Sequence, residues 1–235
     1  AKEDEFKYLN QLLSDISLST SAAPTLLPAY DDFQSGDNYE FNMIDGGAAA
    51  GNPVLVALSE LAQEKTKHPE LYPMMESADD CSNILLLSLG CGNLLATDAP
   101  GWTADTVNGW SLNGWLADTT ASTPRLPFYE ILGGGSLYVL DYYAYSLFQA
   151  HNAESNYLRV QTDALTPEMS KMDNADPENL KNLEKCANEM IQGNAKRLNP
   201  VTFQMESMDG STTYAQELRR FAKILSDERK NRLTL

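Results

Sequence analysis

The stretch with the clearest capacity for chemistry is Asp45-Gly46-Gly47, set directly after the apolar run Phe41-Asn42-Met43-Ile44. A strand that stops at an acid projects a carboxylate from the carboxyl edge of a sheet, where open α/β sheets bind ligands. Two glycines behind it permit positive φ and close backbone approach. An acid so placed is suited to general-base work. Asp-Gly is also a common turn pair, so a plain strand-end turn stands beside the functional acid as a reading.

Nucleophiles are harder to find. A serine at a strained strand-to-helix turn needs G-x-S-x-G, and that pentapeptide is absent. Gly134-Gly135-Ser136-Leu137-Tyr138 comes nearest, but it lacks the closing glycine and lies in a helical pattern. Gly90-Cys91-Gly92 places a thiol after an apolar strand. A cysteine nucleophile needs a cationic partner to lower its pKa, and His68 and His151 are both remote in sequence. A buried structural thiol is the favoured reading of Cys91. His68 reads as solvated beside Pro69, and His151 as a helix-end cap. Asp31, Asp32 and Asp37 lack the spacing of an EF-hand. The run Arg219, Arg220, Lys223, Arg229, Lys230, Arg232 reads as a solvated helix face. Three cysteines without a C-x-x-C pair and two histidines provide no zinc set, so no metal or cofactor is expected.

The elements that must position these residues follow from periodicity. Phe6, Leu9, Leu12, Leu13 and Ile16 mark a helix over 5–17. Asn52 as cap and Pro53 at the first position open another, with Val54, Leu55, Leu58, Leu61 and Ala62 as its face. Residues 66–80 are a polar connection. Ile84 to Leu89 reads as a strand covered on both faces. Residues 98–125 hold Trp102, Trp110 and Trp115 with weak periodicity. Residues 127–150 are helical in pattern, interrupted by Gly133-Gly134-Gly135. Tyr157 to Thr162 alternates as a strand. Asp176 caps a helix over 177–191, and a last helix over 213–233 turns Leu218, Phe221, Ala222 and Leu225 inward. Strands alternating with helices predict an α/β fold with a mainly parallel sheet that includes 41–44, 84–89 and 157–162. Three strands are few for a doubly wound sheet. The count points to neighbouring strands supplied by sequence outside this chain.

Composition bounds the partners. The 235 residues carry 17 basic and 33 acidic side chains, a net charge of −16, which opposes binding to nucleic-acid phosphate or anionic membranes. With 43% apolar residues the chain can bury a substantial core. The longest aliphatic run, Ile84 to Leu89, is far short of the ~20 residues of a membrane span. The charged start, Ala1 to Glu5, lacks the apolar segment of a signal peptide, so none is expected to remain in these residues, which leaves the compartment open. The chain has no N-x-[ST] sequon.

Five blocks, in order and in spacing, resemble plant patatins. They are Ser17 to Pro28 with its Ala-Ala-Pro-Thr; Ile44-Asp45-Gly46-Gly47 followed by Asn52-Pro53; Leu85 to Gly90 with Gly92; Asp141-Tyr142-Tyr143, Phe148 to Ala150 and Asn156 to Gln161; and Arg220 to Ser226. Cys91 stands where the family has Thr. The resemblance implies a three-layer patatin-like fold with a mainly parallel central sheet. Residues 1–235 would supply the C-terminal portion of a single domain. It also implies a lipid acyl hydrolase with a Ser-Asp dyad, in which Asp45 is the acid and Gly46 and Gly47 shape its loop. The serine of the G-x-S-x-G elbow and the glycine-rich oxyanion loop belong to the half that is absent here. The partners implied are that N-terminal half, as a separate chain or a missing piece, a lipid substrate and a possible oligomer; no nucleic acid is expected. A dyad without histidine requires an unusually basic carboxylate. The rival reading is a plant storage or defence protein that keeps the scaffold with weak or no catalysis. The family's compartment is the plant vacuole or another part of the secretory pathway, with the cytoplasm left open.

Overall fold

The computed structural model describes residues 11–31, 40–93, 101–119, 125–208 and 212–233. The chain divides into two units, Ala1–Val56 and Ala57–Leu235. In the first, helix α1 (Leu13–Thr20) begins later and ends later than periodicity predicts, and residues 1–10 lie outside the described residues. Ser17 and Ser21 donate their hydroxyls to the carbonyls of Leu13 and Ser17, at 2.7 Å each. Asp15 is buried and accepts from the Tyr30 hydroxyl at 3.1 Å. The strand expected at Phe41–Ile44 does not form. Met43 alone pairs, antiparallel to Tyr30, with both backbone bonds at 2.9 Å. Asn42, Met43 and Ile44 are exposed, so no apolar contact selects an extended ladder there. A four-residue helix, α2 (Gly47–Ala50), follows Asp45. The Asp32 and Asp37 of the acidic loop lie outside the described residues.

The boundary between the units falls in the first turn of α3 (Val54–Lys67). That helix opens as its sequence predicts, with Asn52 Oδ1 accepting from the Val54 amide at 3.2 Å. A 3₁₀ turn, Pro69–Leu71, ends the helical run. Residues 76–82 then wrap around one carboxylate. Asp80 accepts from the amides of Glu76 at 2.9 Å and Ser82 at 2.8 Å.

Strand β1 (Leu86–Leu89) pairs in parallel with β2 (Tyr157–Val160), Leu86 opposite Tyr157 and Leu89 opposite Val160. Two of the three expected strands are therefore present and parallel, and with the surrounding helices they give a mixed α/β fold. One face of the pair packs under α6 (Pro127–Ala150), where Phe148 stacks on Tyr157 with ring centroids 5.6 Å apart. On the other face, Leu158 and Val160 join Ala195, Tyr214 and Phe221 in a buried cluster. The expectation that β1 is covered on both sides fails. Leu87 and Leu89 are 42% and 69% exposed among the described residues, while Ser88 is buried against α6's side of the sheet. The leucine run alternates with the pleat: Leu85 reaches the Leu158–Phe221 cluster, and the cover on that face thins toward Leu89 among the described residues.

Between β1 and α6, two short helices, α4 (Ala104–Asn108) and α5 (Leu112–Leu116), replace the weak periodicity with aromatic packing. Trp110 meets Trp102 and Trp115 edge to face, at 5.6 and 5.4 Å. The Arg125 guanidinium lies 3.8 Å over the Trp102 ring, and Trp102 Nε1 donates to Asp118 at 2.8 Å. Helix α6 runs unbroken through Gly133-Gly134-Gly135, against the predicted interruption. Its buried stripe, Ala144, Tyr145 and Phe148, holds the helix down beyond the glycines.

Asp176 caps α7 (Pro177–Gln192) as expected, accepting from the Glu178 amide at 2.8 Å. A small antiparallel hairpin, β3 (Lys196–Leu198) with β4 (Met205–Ser207), was not foreseen; three-residue strands carry too little pattern. Helix α8 (Tyr214–Leu233) buries Tyr214, Glu217 and Phe221. Ala222 and Leu225, expected inside, are exposed, because the buried stripe ends at Phe221. No helix among the described residues is long and apolar enough to cross a membrane.

Two outcomes follow. Phe148 is fully buried, so Phe148→Ala should cost ~3–5 kcal/mol, read as a lower urea midpoint at unchanged slope. Asp80 has its carboxyl held down at about 2, chiefly by the Ser82 hydroxyl and then by the Glu76 and Ser82 amides. Its folded value lies below the unfolded one, so its stabilisation is complete above about pH 4 and is lost as pH falls toward 2. Asp80→Asn should flatten the acid limb of a stability-versus-pH curve in that window, and an unchanged limb would count against this role.

Candidate functional site

Asp45 is half-buried and sits between the Tyr30–Met43 bridge and α2. Its amide donates to the Ala22 carbonyl at 2.9 Å, which anchors the acid to the turn after α1. Its Oδ1 accepts from the Gly47 amide at 2.6 Å. This two-residue loop-back is the hydrogen bond of an Asx turn. The glycines do not supply the positive φ that their types allow. Gly46 is right-handed, with φ −59 and ψ −20, and Gly47 begins α2. What Gly47 supplies is space: a Cβ there would lie 3.0 Å from Asp45 Oδ1. Gly46 meets nothing within 4 Å. One carboxylate oxygen is therefore held toward α2 by the chain itself, which fixes the side chain's direction.

The thiol, serine, histidine and basic-run candidates lie in the second unit. Cys91 is exposed, not buried. Strand β1 ends at Leu89, and the chain turns outward through Gly92 at φ +89, a backbone state that suits glycine. A Cβ at Gly92 would come within 2.5 Å of Leu165 Cδ1, so the turn is packed as well as left-handed. Cys81 is the buried thiol, and burial, with Asp80 and Asp79 adding to it, pushes its pKa to about 11. Ser136 lies inside α6 and donates to the Gly133 carbonyl at 2.9 Å, an ordinary helical contact. His151 caps α6, and His68 Nδ1 lies 3.7 Å from Glu70 Oε1. The terminal cations pair along α8, Lys223 with Asp227 at 2.5 Å and Arg232 with Glu228 at 2.7 Å. No group of three His, Cys, Asp or Glu side chains among the described residues is set to hold a metal.

Sequence reasoning missed a buried polar network on the sheet. Arg159 of β2 has a side chain only 10% exposed, and its Nε lies 3.4 Å from Asp141 Oδ2 of α6. Its Nη1 donates to Ser88 Oγ at 3.1 Å. The Tyr157 hydroxyl donates to Asp141 Oδ1 at 3.2 Å, and burial, reinforced by that carboxylate, pushes the phenol pKa up. The signal was available: Tyr157 and Arg159 occupy alternate positions of one strand, so both face the same layer.

No family model matches the chain. Three relatives show what it is similar to. Patatin-like protein 1 of Oryza sativa subsp. indica is 36% identical over 231 residues, covering 95% of this chain and 54% of the relative. Patatin-like protein 4 of Arabidopsis thaliana is 33% identical over 225 residues, covering 95% and 55%. Patatin-2-Kuras 2 of Solanum tuberosum is 35% identical over 231 residues, covering 95% and 53%. The resemblance read from the residue blocks thus extends over nearly the whole chain, and the chain belongs to the patatin-like family. It spans about half the length of the curated relatives it matches.

The thiols give a direct check of this geometry. Iodoacetamide at pH 8 should modify Cys91 in the native protein and leave Cys81 unmodified, as read by peptide mass. Equal reaction of the two would contradict the burial of Cys81.

Proposed function

We propose that this chain is the acid-bearing, C-terminal part of a lipid acyl hydrolase, a three-layer α/β domain whose serine lies in the part not included in residues 1–235. Kinship with patatin-like proteins over 95% of the chain, at about half their length, carries the reading. Asp45-Gly46-Gly47 supports it, because the half-buried carboxylate is oriented by its own backbone. Exposed Leu87 and Leu89, on a strand whose sequence suits two-sided cover, support a covering layer supplied by another segment.

In this reading Asp45 takes the proton of the serine hydroxyl as its oxygen attacks the ester carbonyl. Backbone N–H groups of the other half hold the oxyanion. The alcohol leaves with the proton that Asp45 returns, and an acyl-serine remains. Water, deprotonated by the same carboxylate, then attacks the acyl-serine, and the serine oxygen leaves with that proton as the fatty acid is released. Phospholipid and galactolipid acyl esters are the substrate class. The acidic chain has no role for nucleic acid, and no metal or cofactor enters the steps.

The test is an ester-hydrolysis assay of the two-part protein, wild type against Asp45→Asn, with thermal unfolding as control. The amide keeps the shape and the Gly47 hydrogen bond but accepts no proton. A fall of ~10²- to 10⁴-fold in rate at unchanged melting temperature is expected, the usual worth of a general base. A folded variant with near-full activity would overturn the assignment of Asp45. Strong activity from residues 1–235 alone would overturn the placement of the serine outside them. Absence of ester hydrolysis by the wild-type assembly would favour the storage or defence role.

A further inference from the structure

We propose that the outward face of α6 is the docking surface for an apolar helix from the part of the protein outside residues 1–235. The inference rests on one element of the preceding reading, that these residues belong to a longer protein, and makes no use of its chemistry. Phe128, Leu132, Gly135, Val139 and Tyr143 follow one another at intervals of four, three, four and four. At about 100° per residue they share one face, opposite the Ala144, Tyr145 and Phe148 that hold the helix down. Such spacing is the seam of two packed helices. Helix α6 is therefore apolar on both sides, and a helix of that kind belongs in an interior.

Among the described residues this second stripe is open. Phe128, Leu132, Val139 and Tyr143 are 52% to 57% exposed, and Tyr129 and Tyr138 beside them are 74% and 57% exposed. The stripe carries no charge. Glu130 and Asp141 fall on the other side of the helix, where they pair with Arg125 and Arg159. The nearest hydroxyl, that of Ser136, turns back to the Gly133 carbonyl at 2.9 Å. Gly135 sits at the middle of the stripe. A Cβ added there meets nothing within 4 Å, and its φ is not positive. Glycine is a poor helix former, so neither its backbone nor its packing among the described residues accounts for it. A notch that lets a second helix axis come close does, because the side chains at a contact set the interaxial distance.

Size and charge select the occupant. From Phe128 to Tyr143 the stripe is about 24 Å long and about 10 Å wide, so two copies meeting on it would bury on the order of 500 Å². Stable associations of separate proteins bury roughly 1,200–2,000 Å². Two copies of net −16 also repel each other. A helix that belongs to the same domain needs no such area, because its linkage keeps it at high effective concentration. The relatives have the length for it. The chain matches 54%, 55% and 53% of three of them, so a comparable length of each lies beyond the matched part. The partner is thus a helix of that part, uncharged where it crosses Gly135 and apolar at the spacing of the stripe it covers.

Cross-linking and labelling of the two-part protein test this, with readouts that do not depend on catalysis. With p-benzoylphenylalanine in place of Val139, irradiation should give cross-links to peptides outside residues 1–235. Val139→Cys should react with iodoacetamide about tenfold more slowly than Val201→Cys, whose parent residue is 83% exposed. Gly135→Leu fills the notch. On a free helix that change raises the melting temperature; against a docked helix it should lower it by about 5 °C. Cross-links confined to residues 1–235, within one copy or between two, would overturn the proposal. So would equal labelling of Val139→Cys and Val201→Cys, protection that appears only with phosphatidylcholine vesicles, or a melting temperature kept or raised in Gly135→Leu. Absent ester hydrolysis with the cross-links in place would remove the acyl-hydrolase reading alone and leave the docking surface standing.

Discussion

A guanidinium leaves water only beside a counter-charge, and the Arg159–Asp141 pair is the constraint around which the second unit is arranged. Asp141, Ala144, Tyr145 and Phe148 form one stripe of α6 at helical spacing, and the last three are buried. Tyr157 and Arg159 form the facing stripe of β2. The ion pair at one end and the Phe148–Tyr157 stack at the other fix both the position and the rotation of α6 over the sheet. Such a pair contributes more to fixing one arrangement than to net stability, because desolvation offsets much of its attraction. Loss of either partner alone would leave a buried charge.

The same constraint explains features of β1 that apolarity alone does not. Ser88 interrupts a run of leucines because it faces Arg159 and accepts from it. Gly90 follows because any larger residue would collide with the side chains of Gln161 and Arg159. Serine and glycine thus answer to two side chains of the neighbouring strand, Arg159 and Gln161. The opposite face of β1 carries Leu87 and Leu89, which have no such obligation and are 42% and 69% exposed among the described residues.

Features with a local signal were legible in the sequence. Asp176-Pro177 and Asn52-Pro53 announce helices through chemistry completed within two residues, and both caps close as their types require. The strands at Leu86 and Tyr157 were legible because β-rich runs find each other in register. Features that depend on a distant partner were not. Phe41–Ile44 has a strand's composition but, among the described residues, pairs only through Met43 with Tyr30. The three glycines of α6 argue for a break, yet the stripe beyond them is held by tertiary packing. Cys91 looked like a buried strand end, but the strand stops two residues before it. Of the candidate site, the acid and its two glycines were legible as a motif. Their right-handed conformation was not, since glycine's freedom leaves its backbone state to the surroundings.

The exposed side of β1 has a colloidal consequence. A short strand with partly exposed leucines, and with an edge that is unpaired among the described residues, is a template for association with any similar surface. The net charge of −16 opposes that at long range, because two copies repel before their leucines meet. Salt shortens the reach of this repulsion to about 8 Å at physiological ionic strength. The acidity of the chain therefore acts as a dispersant for its own sticky face, and its strength is set by the solvent rather than by the fold.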